Sequence, residues 1–164
     1  MQDSVDGFTS YMAARWPTLV RSLVTLGCEL HEAEDVAQTA LTRCWASWER
    51  VCLTDDPDAY VFRTVLNVWK KSRRRRWWGE RPHEVLPNRI DPDALDAVDT
   101  RAVIEHALGR LSPQHRAVLT LRFVADLSEH QTAKALGIPV GTVKSRTARA
   151  IQQIQHSDLR EELS

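Results

Sequence analysis

The sequence predicts an all-α chain, two small helical domains joined by a flexible linker, and three observations predict it. Apolar residues recur every three or four positions along most of the 164 residues. No stretch alternates with period two for long enough to make a strand. Residues 79–100, "GERPHEVLPNRIDPDALDAVDT", are rich in proline and aspartate and carry no apolar period, so they read as a linker. The division is 5–78 for the first domain and 101–158 for the second.

In the first domain, Phe8, Tyr11, Met12, Trp16, Leu19, Leu23 and Leu26 form one helical stripe that Gly27 stops. Pro17 lies inside it and is expected to start or kink a helix. A second helix is expected from about His31 to Val51, with Ala33, Val36, Ala37, Ala40, Leu41, Cys44, Trp45 and Trp48 on one broad face. Its other face begins with Glu32, Glu34 and Asp35, which suit the positive end of the helix dipole. "LTDDP" then breaks the chain, with Thr54, Asp55 or Asp56 available as a cap and Pro57 in the first turn of a third helix.

Four helical segments follow the linker. "TRAVIEHALGRL" is the first, and "SPQHRAVLTLRFVADL" the second, with Ser112 as cap and Pro113 at the first helical position. "SEHQTAKAL" is the third, and Ser128 with Gln131 has the S-x-x-Q spacing of a capping box. "GIP" makes a tight turn into "VGTVKSRTARAIQQIQ". A short helix, a glycine turn and a longer helix form a helix-turn-helix pattern. Val143, Thr147, Ala150, Ile151 and Ile154 of the last helix have core spacing. Thr142, Lys144, Ser145, Arg146 and Arg149 fall outside that stripe, where such a helix meets base edges and phosphates. A helical hairpin with a solvated basic face is the plain structural alternative.

Net charge is zero, but unevenly laid out: −3 over residues 1–50, +4 over 51–81, −3 over 82–111 and +2 over 112–164. Seven of the 22 basic residues fall between Lys70 and Arg81. Arg63, Asn67, Lys70, Lys71 and Arg74 cover an exposed side of the third helix, and Arg73, Arg75 and Arg76 extend the run. Charge of this density neutralises a nucleic-acid backbone. Trp77 and Trp78 either close the hydrophobic core or stack on unpaired bases. Two basic segments on one chain favour nucleic acid over an anionic membrane patch.

Cys28, Cys44 and Cys52 show no C-x-x-C, and no histidine pair has zinc-ligand spacing, so neither metal nor cofactor is expected. The odd cysteine count fits a reducing compartment. With no signal-peptide pattern and no long apolar run, the expected location is cytoplasmic. Lacking a Gly-rich phosphate loop, H-E-x-x-H or G-x-S-x-G, the chain is not expected to be an enzyme.

Together the segments resemble a bacterial RNA polymerase sigma factor of the extracytoplasmic-function (ECF) type, in its SigE-like group of the sigma-70 family. "HEAEDVAQTALTRCWASWERV" resembles region 2.2, "DDPDAYVFRTVLNVWKKSRRRR" resembles regions 2.3–2.4, and "LSPQHRAVLTLRFVADLSEHQTAKALGIPVGTVKSRTARA" resembles region 4. The resemblance implies that Glu34, Asp35, Gln38, Arg43 and Trp48 contact core polymerase. It implies that Arg63, Asn67, Lys70, Lys71 and Arg73 to Arg76 lie on the minus-ten element, and that the loop Val51 to Pro57 receives a flipped base. Thr142, Lys144, Ser145, Arg146 and Arg149 would then read the minus-thirty-five element. The implied partners are core RNA polymerase, promoter DNA and an anti-sigma factor, with no membrane and with the free chain a monomer. "GTVKSR" after A-x-x-L-G-I also occurs in LuxR-type regulators, so a stand-alone helix-turn-helix regulator is the alternative.

Overall fold

The computed structural model describes residues 1–79 and 104–162, and every regular element in them is helical. The first unit holds α1 (Gln2–Thr25), α2 (Leu30–Ala46), α3 (Trp48–Val51) and α4 (Pro57–Gly79). The second holds α5 (104–109), α6 (Pro113–Leu119), a π-helical turn (Thr120–Val124), α7 (Glu129–Leu136) and α8 (Val140–Glu162). Most of the linker expected at 79–100 lies outside the described residues, as do the side chains of Arg76, Trp77 and Trp78.

Three expected boundaries move. α1 does not begin at Pro17 but passes through it. Pro17 and Ala13 are both exposed, so water can take the carbonyl that the missing N–H leaves free. The expected helix 31–51 breaks at Ser47, whose backbone (φ −123°, ψ 13°) is not helical. The break lets Trp48 turn inward while Trp45 stays outside. The expected helix 112–127 is α-helical only to Leu119. It then widens into the π turn, where Ala125 N–H bonds to the Thr120 carbonyl at 3.0 Å. Asp126 ends it at φ 55°, a left-handed conformation that aspartate tolerates better than most residues.

The caps are where local chemistry puts them. Asp56 is the cap of α4, accepting from Ala59 N–H at 3.2 Å. Ser112 accepts from His115 N–H ahead of α6. Ser128 and Gln131 form a complete capping box on α7, with bonds of 3.0 and 2.8 Å. Gly137, at φ 67°, ends α7 in the left-handed conformation that the turn requires.

The main core joins Leu19 and Leu23 of α1, Val36, Ala37 and Leu41 of α2, and Val61, Phe62, Val65 and Leu66 of α4. Leu121, Ala125, Leu127 and Ala135 of the second unit complete it. The two units therefore pack together, α7 lying along α4. The second unit's own apolar clusters are small: Leu108, Leu111, Leu119 and Ala150 in one, and Val118, Ala133 and Val143 in the other. Ile151 of the expected α8 stripe is exposed instead, while Ala150 before it is buried and Ile154 after it packs on the same cluster. Cys28 and Cys44 are buried, Cys52 is exposed, and all three are thiols outside any disulfide.

Candidate nucleic-acid interface

α4 is the centre of the first surface. Its apolar positions Val61, Phe62, Val65, Leu66 and Val68 all face the core, which leaves Arg63, Asn67, Lys70, Lys71, Arg73, Arg74 and Arg75 exposed. The Arg73 guanidinium lies 5.2 Å from the ring centre of the half-buried Trp69, which steadies part of the run. Helical spacing thus separates a greasy back from a basic front.

The start of α4 is pinned. Tyr11 Oη donates to Asp58 Oδ1 at 2.7 Å, Arg15 Nε donates to the same oxygen at 3.0 Å, and Arg15 also pairs with Oδ2. Burial, and then the bond to Asp58, push the Tyr11 hydroxyl far above its ordinary pKa. Burial pulls the Arg15 guanidinium down, but the bond and charge of Asp58 outweigh it. An anion at the helix's first turn held by two donors fixes both the register of α4 and the loop leading into it.

That loop and α4 make an open pocket of about 450 Å³, lined by Leu53, Thr54, Asp55, Asp56, Ala59, Tyr60, Arg63 and Lys134. Leu53 is 83% exposed and Tyr60 41% exposed, so an apolar side chain and an aromatic ring stand beside carboxylates and a guanidinium. Such a set can stack on a flat ring, accept from an amine and pair with a phosphate. Sequence reasoning included Leu53 in the loop Val51 to Pro57 but missed Tyr60 and Lys134 as functional residues. A signal existed for Tyr60, which lies three positions before Arg63 on the same face. None existed for Lys134, because it arrives from the other unit.

On α2, Glu34, Asp35, Gln38 and Arg43 are exposed, while Glu32 is buried. Trp48 does not join the exposed set. It is 6% exposed, with its ring 5.2 Å from Phe8 and 5.1 Å from Tyr11. Among the described residues the exposed tryptophan is Trp45, at 43%. The break at Ser47 is the cause, and that break depends on tertiary packing.

α8 makes the second surface. Val143 and Ala150 are fully buried, which turns Lys144, Ser145 and Arg149 outward and leaves Thr142 and Arg146 half-buried. The α8 N-terminus is set by Pro139, whose carbonyl accepts from Thr142 N–H at 3.0 Å. Lys144 leans back on Glu129 at 3.7 Å, an exposed pair worth little. These five positions share one end of one helix, presented by a properly capped turn. Among the described residues no helix is long and apolar enough to cross a membrane.

Residues 13–79 match the family Sigma-70 region 2, and residues 107–156 match Sigma-70, region 4. The RNA polymerase sigma-E factor of Streptomyces coelicolor is 36% identical over 161 residues, spanning 95% of this chain and 85% of that protein. The ECF RNA polymerase sigma factor SigL of Mycobacterium tuberculosis is 32% identical over 153 residues, spanning 90% of this chain and 84% of that protein. Among solved structures, the sigma factor RpoE in complex with the anti-sigma factor NepR from Bartonella quintana has a TM-score of 0.72 at 24% identity, covering 92% of this chain and 95% of that one. CnrH in complex with the cytosolic domain of CnrY gives 0.65 at 24% identity, covering 96% and 89%.

Proposed function

The chain belongs to the sigma-70 family, in its ECF group, and from that premise we propose how its two surfaces divide the work of an RNA polymerase sigma factor. The observation that carries the reading is the order of the two family matches on one chain, each falling on a basic, exposed helix face. The first domain (5–78) binds core polymerase through α2, with Glu34, Asp35, Gln38 and Arg43 as its polar contacts. The exposed face of α4, Arg63 to Arg75 with Arg76 in continuation, lies on the minus-ten element. The loop before α4 takes up an unpaired base, Tyr60 stacking and the loop carboxylates accepting from the base's amine. The second domain (101–158) reads the minus-thirty-five element with Thr142, Lys144, Ser145, Arg146 and Arg149.

The match over residues 13–79 accounts for the half of the chain that a stand-alone LuxR-type regulator leaves unexplained. Bond formation belongs to the polymerase, and the chain acts as an initiation factor where polymerase and DNA are, in the cytoplasm, as a monomer when free. The likeness to the sigma factor RpoE, solved in complex with the anti-sigma factor NepR, supports a separate anti-sigma regulator for this one.

The test is transcription by purified core polymerase on genomic templates with and without the chain. New transcripts with discrete start sites are expected. An unchanged transcript set, with no association between chain and core enzyme, would overturn the reading.

A further inference from the structure

The surface at the start of α8 is basic, yet a carboxylate stands in it. From Val140 to Arg149 the helix carries Lys144, Arg146 and Arg149 and no acidic residue. The acid comes from α7, whose first residue is Glu129. Its Oε2 lies 3.7 Å from Lys144 Nζ, and both side chains stay open to water, at 41% and 63% exposure. A pair so exposed adds little to stability. Nor does Glu129 help to start the helix, because Ser128 and Gln131 make the whole capping box. Its place relative to DNA is another matter. In a helix-turn-helix the first helix crosses the phosphate backbone while the start of the second enters the major groove. A carboxylate on the first turn of α7 therefore approaches phosphate, and like charges oppose that approach on every sequence.

We propose that Glu129 is a positioning residue for sequence discrimination: it withholds Lys144 from phosphate and turns the ammonium toward base edges. The proposal rests on the reading of α8 as the helix that meets the minus-thirty-five element. Lysine is a point charge on a flexible stem. Left alone, Lys144 takes the nearest phosphate, a contact that carries no sequence information. Held on one side by Glu129, it keeps its other N–H donors for acceptors in the groove, such as guanine O6 and N7. The carboxylate thus lowers affinity for any duplex, and lowers it least where the groove offers those acceptors. Discrimination is a difference of affinities, and a group that repels the wrong partner widens it. Arg146 and Arg149 need no such tether, since a planar guanidinium is already shaped for two-bond contacts.

The test uses the full chain on core polymerase and two labelled duplexes. One is a promoter recovered by the genomic transcription experiment, and the other is the same fragment with its minus-thirty-five element scrambled. Binding is read by anisotropy in the cold, before strand opening, over a series of salt concentrations. Glu129→Gln keeps the size of the side chain and removes its charge. It should tighten binding of the scrambled fragment about fivefold, the effect of one charge pair at about 4 Å in water. The intact promoter should gain much less, so that discrimination falls. The salt slope on the scrambled fragment should steepen by about 0.9, the increment for one more neutralised phosphate. Glu129→Asp keeps the charge and should keep the parent's slope and discrimination. In a Lys144→Ala background, Glu129→Gln should no longer move the slope. Amide exchange across α7 should match the parent's throughout, because the capping box is untouched.

If Glu129→Gln moves neither slope nor discrimination while Lys144→Ala weakens binding, the DNA reading of α8 stands and this proposal alone is wrong. If Glu129→Gln tightens both fragments equally, the carboxylate repels without sorting, and the proposal falls. A slope that still steepens without Lys144 overturns it too, since the effect then bypasses that lysine. If Lys144→Ala changes nothing on either fragment, the reading of α8 is what failed, and the role of Glu129 falls with it.

Discussion

The two units solve the burial problem differently. The first wraps α1, α2 and α4 around one continuous core with Phe62 at its centre, only 1% exposed. The second splits its apolar residues into two small clusters and sends Leu121, Ala125, Leu127 and Ala135 into its neighbour's core. One supplies most of the shared core, and the other is a lighter unit that buries part of its apolar surface in that core. A unit of this second kind relies more on local devices, and it has them: two side-chain caps, a proline at the start of α6 and a left-handed glycine at the end of α7. The difference explains why the two ends of α7 could be read closely from sequence.

The contrast can be broken or sharpened by substitution, beginning with the largest effect. Phe62→Ala should remove about 3–5 kcal/mol from the first unit in denaturant unfolding, the usual cost of emptying an aromatic core site. A loss under about 1 kcal/mol, within the range of a surface change, would show that the shared core is not continuous. Arg146→Ala with Arg149→Ala should cost roughly 3 kcal/mol of binding to minus-thirty-five duplexes, because base and phosphate bonds are removed. Association with core polymerase should be unchanged, and loss of both together would make the pair structural. Arg15→Ala leaves Asp58 with Tyr11 alone and should destabilise the first unit by about 2 kcal/mol in thermal melts, less than for a fully buried pair because both partners keep some solvent. Ser128→Ala should cost about 1 kcal/mol, confined to the second unit and visible as faster hydrogen exchange in α7. Neutralising Arg73, Arg74 and Arg75 should leave stability alone and flatten the salt dependence of promoter binding, by about 0.9 in log–log slope for each phosphate no longer neutralised. An unchanged slope would move that run off the DNA.

Legibility followed the range of the interaction. The capping box of Ser128 and Gln131 spans three residues and was readable as a pattern. The all-helical character followed from spacing, and the basic front of α4 from the residues left over once its core positions were assigned. Asp56 was one of three candidate caps, and only the fold selects it. Periodicity put Trp45 and Trp48 on one apolar face, and what it hid is that only Trp48 is buried, against Phe8 and Tyr11, while Trp45 touches Phe8 and stays exposed. The π turn was hidden for a related reason: the sequence around Thr120 is ordinary helix, and burial against a second neighbour reshapes it. The Lys134 wall of the pocket and the bond that Gln131 donates to Asp56 join residues far apart in sequence, where periodicity carries no signal.

The distribution of thiols has a practical side. Cys28 and Cys44 are sealed inside the first unit, and Cys52 stands in the open on the loop beside Leu53 and Thr54. A maleimide dye added to the native fold would therefore choose its own address, next to the pocket, without any cysteine being engineered in or out. The unaltered chain already offers an optical reporter beside the loop that leads into α4.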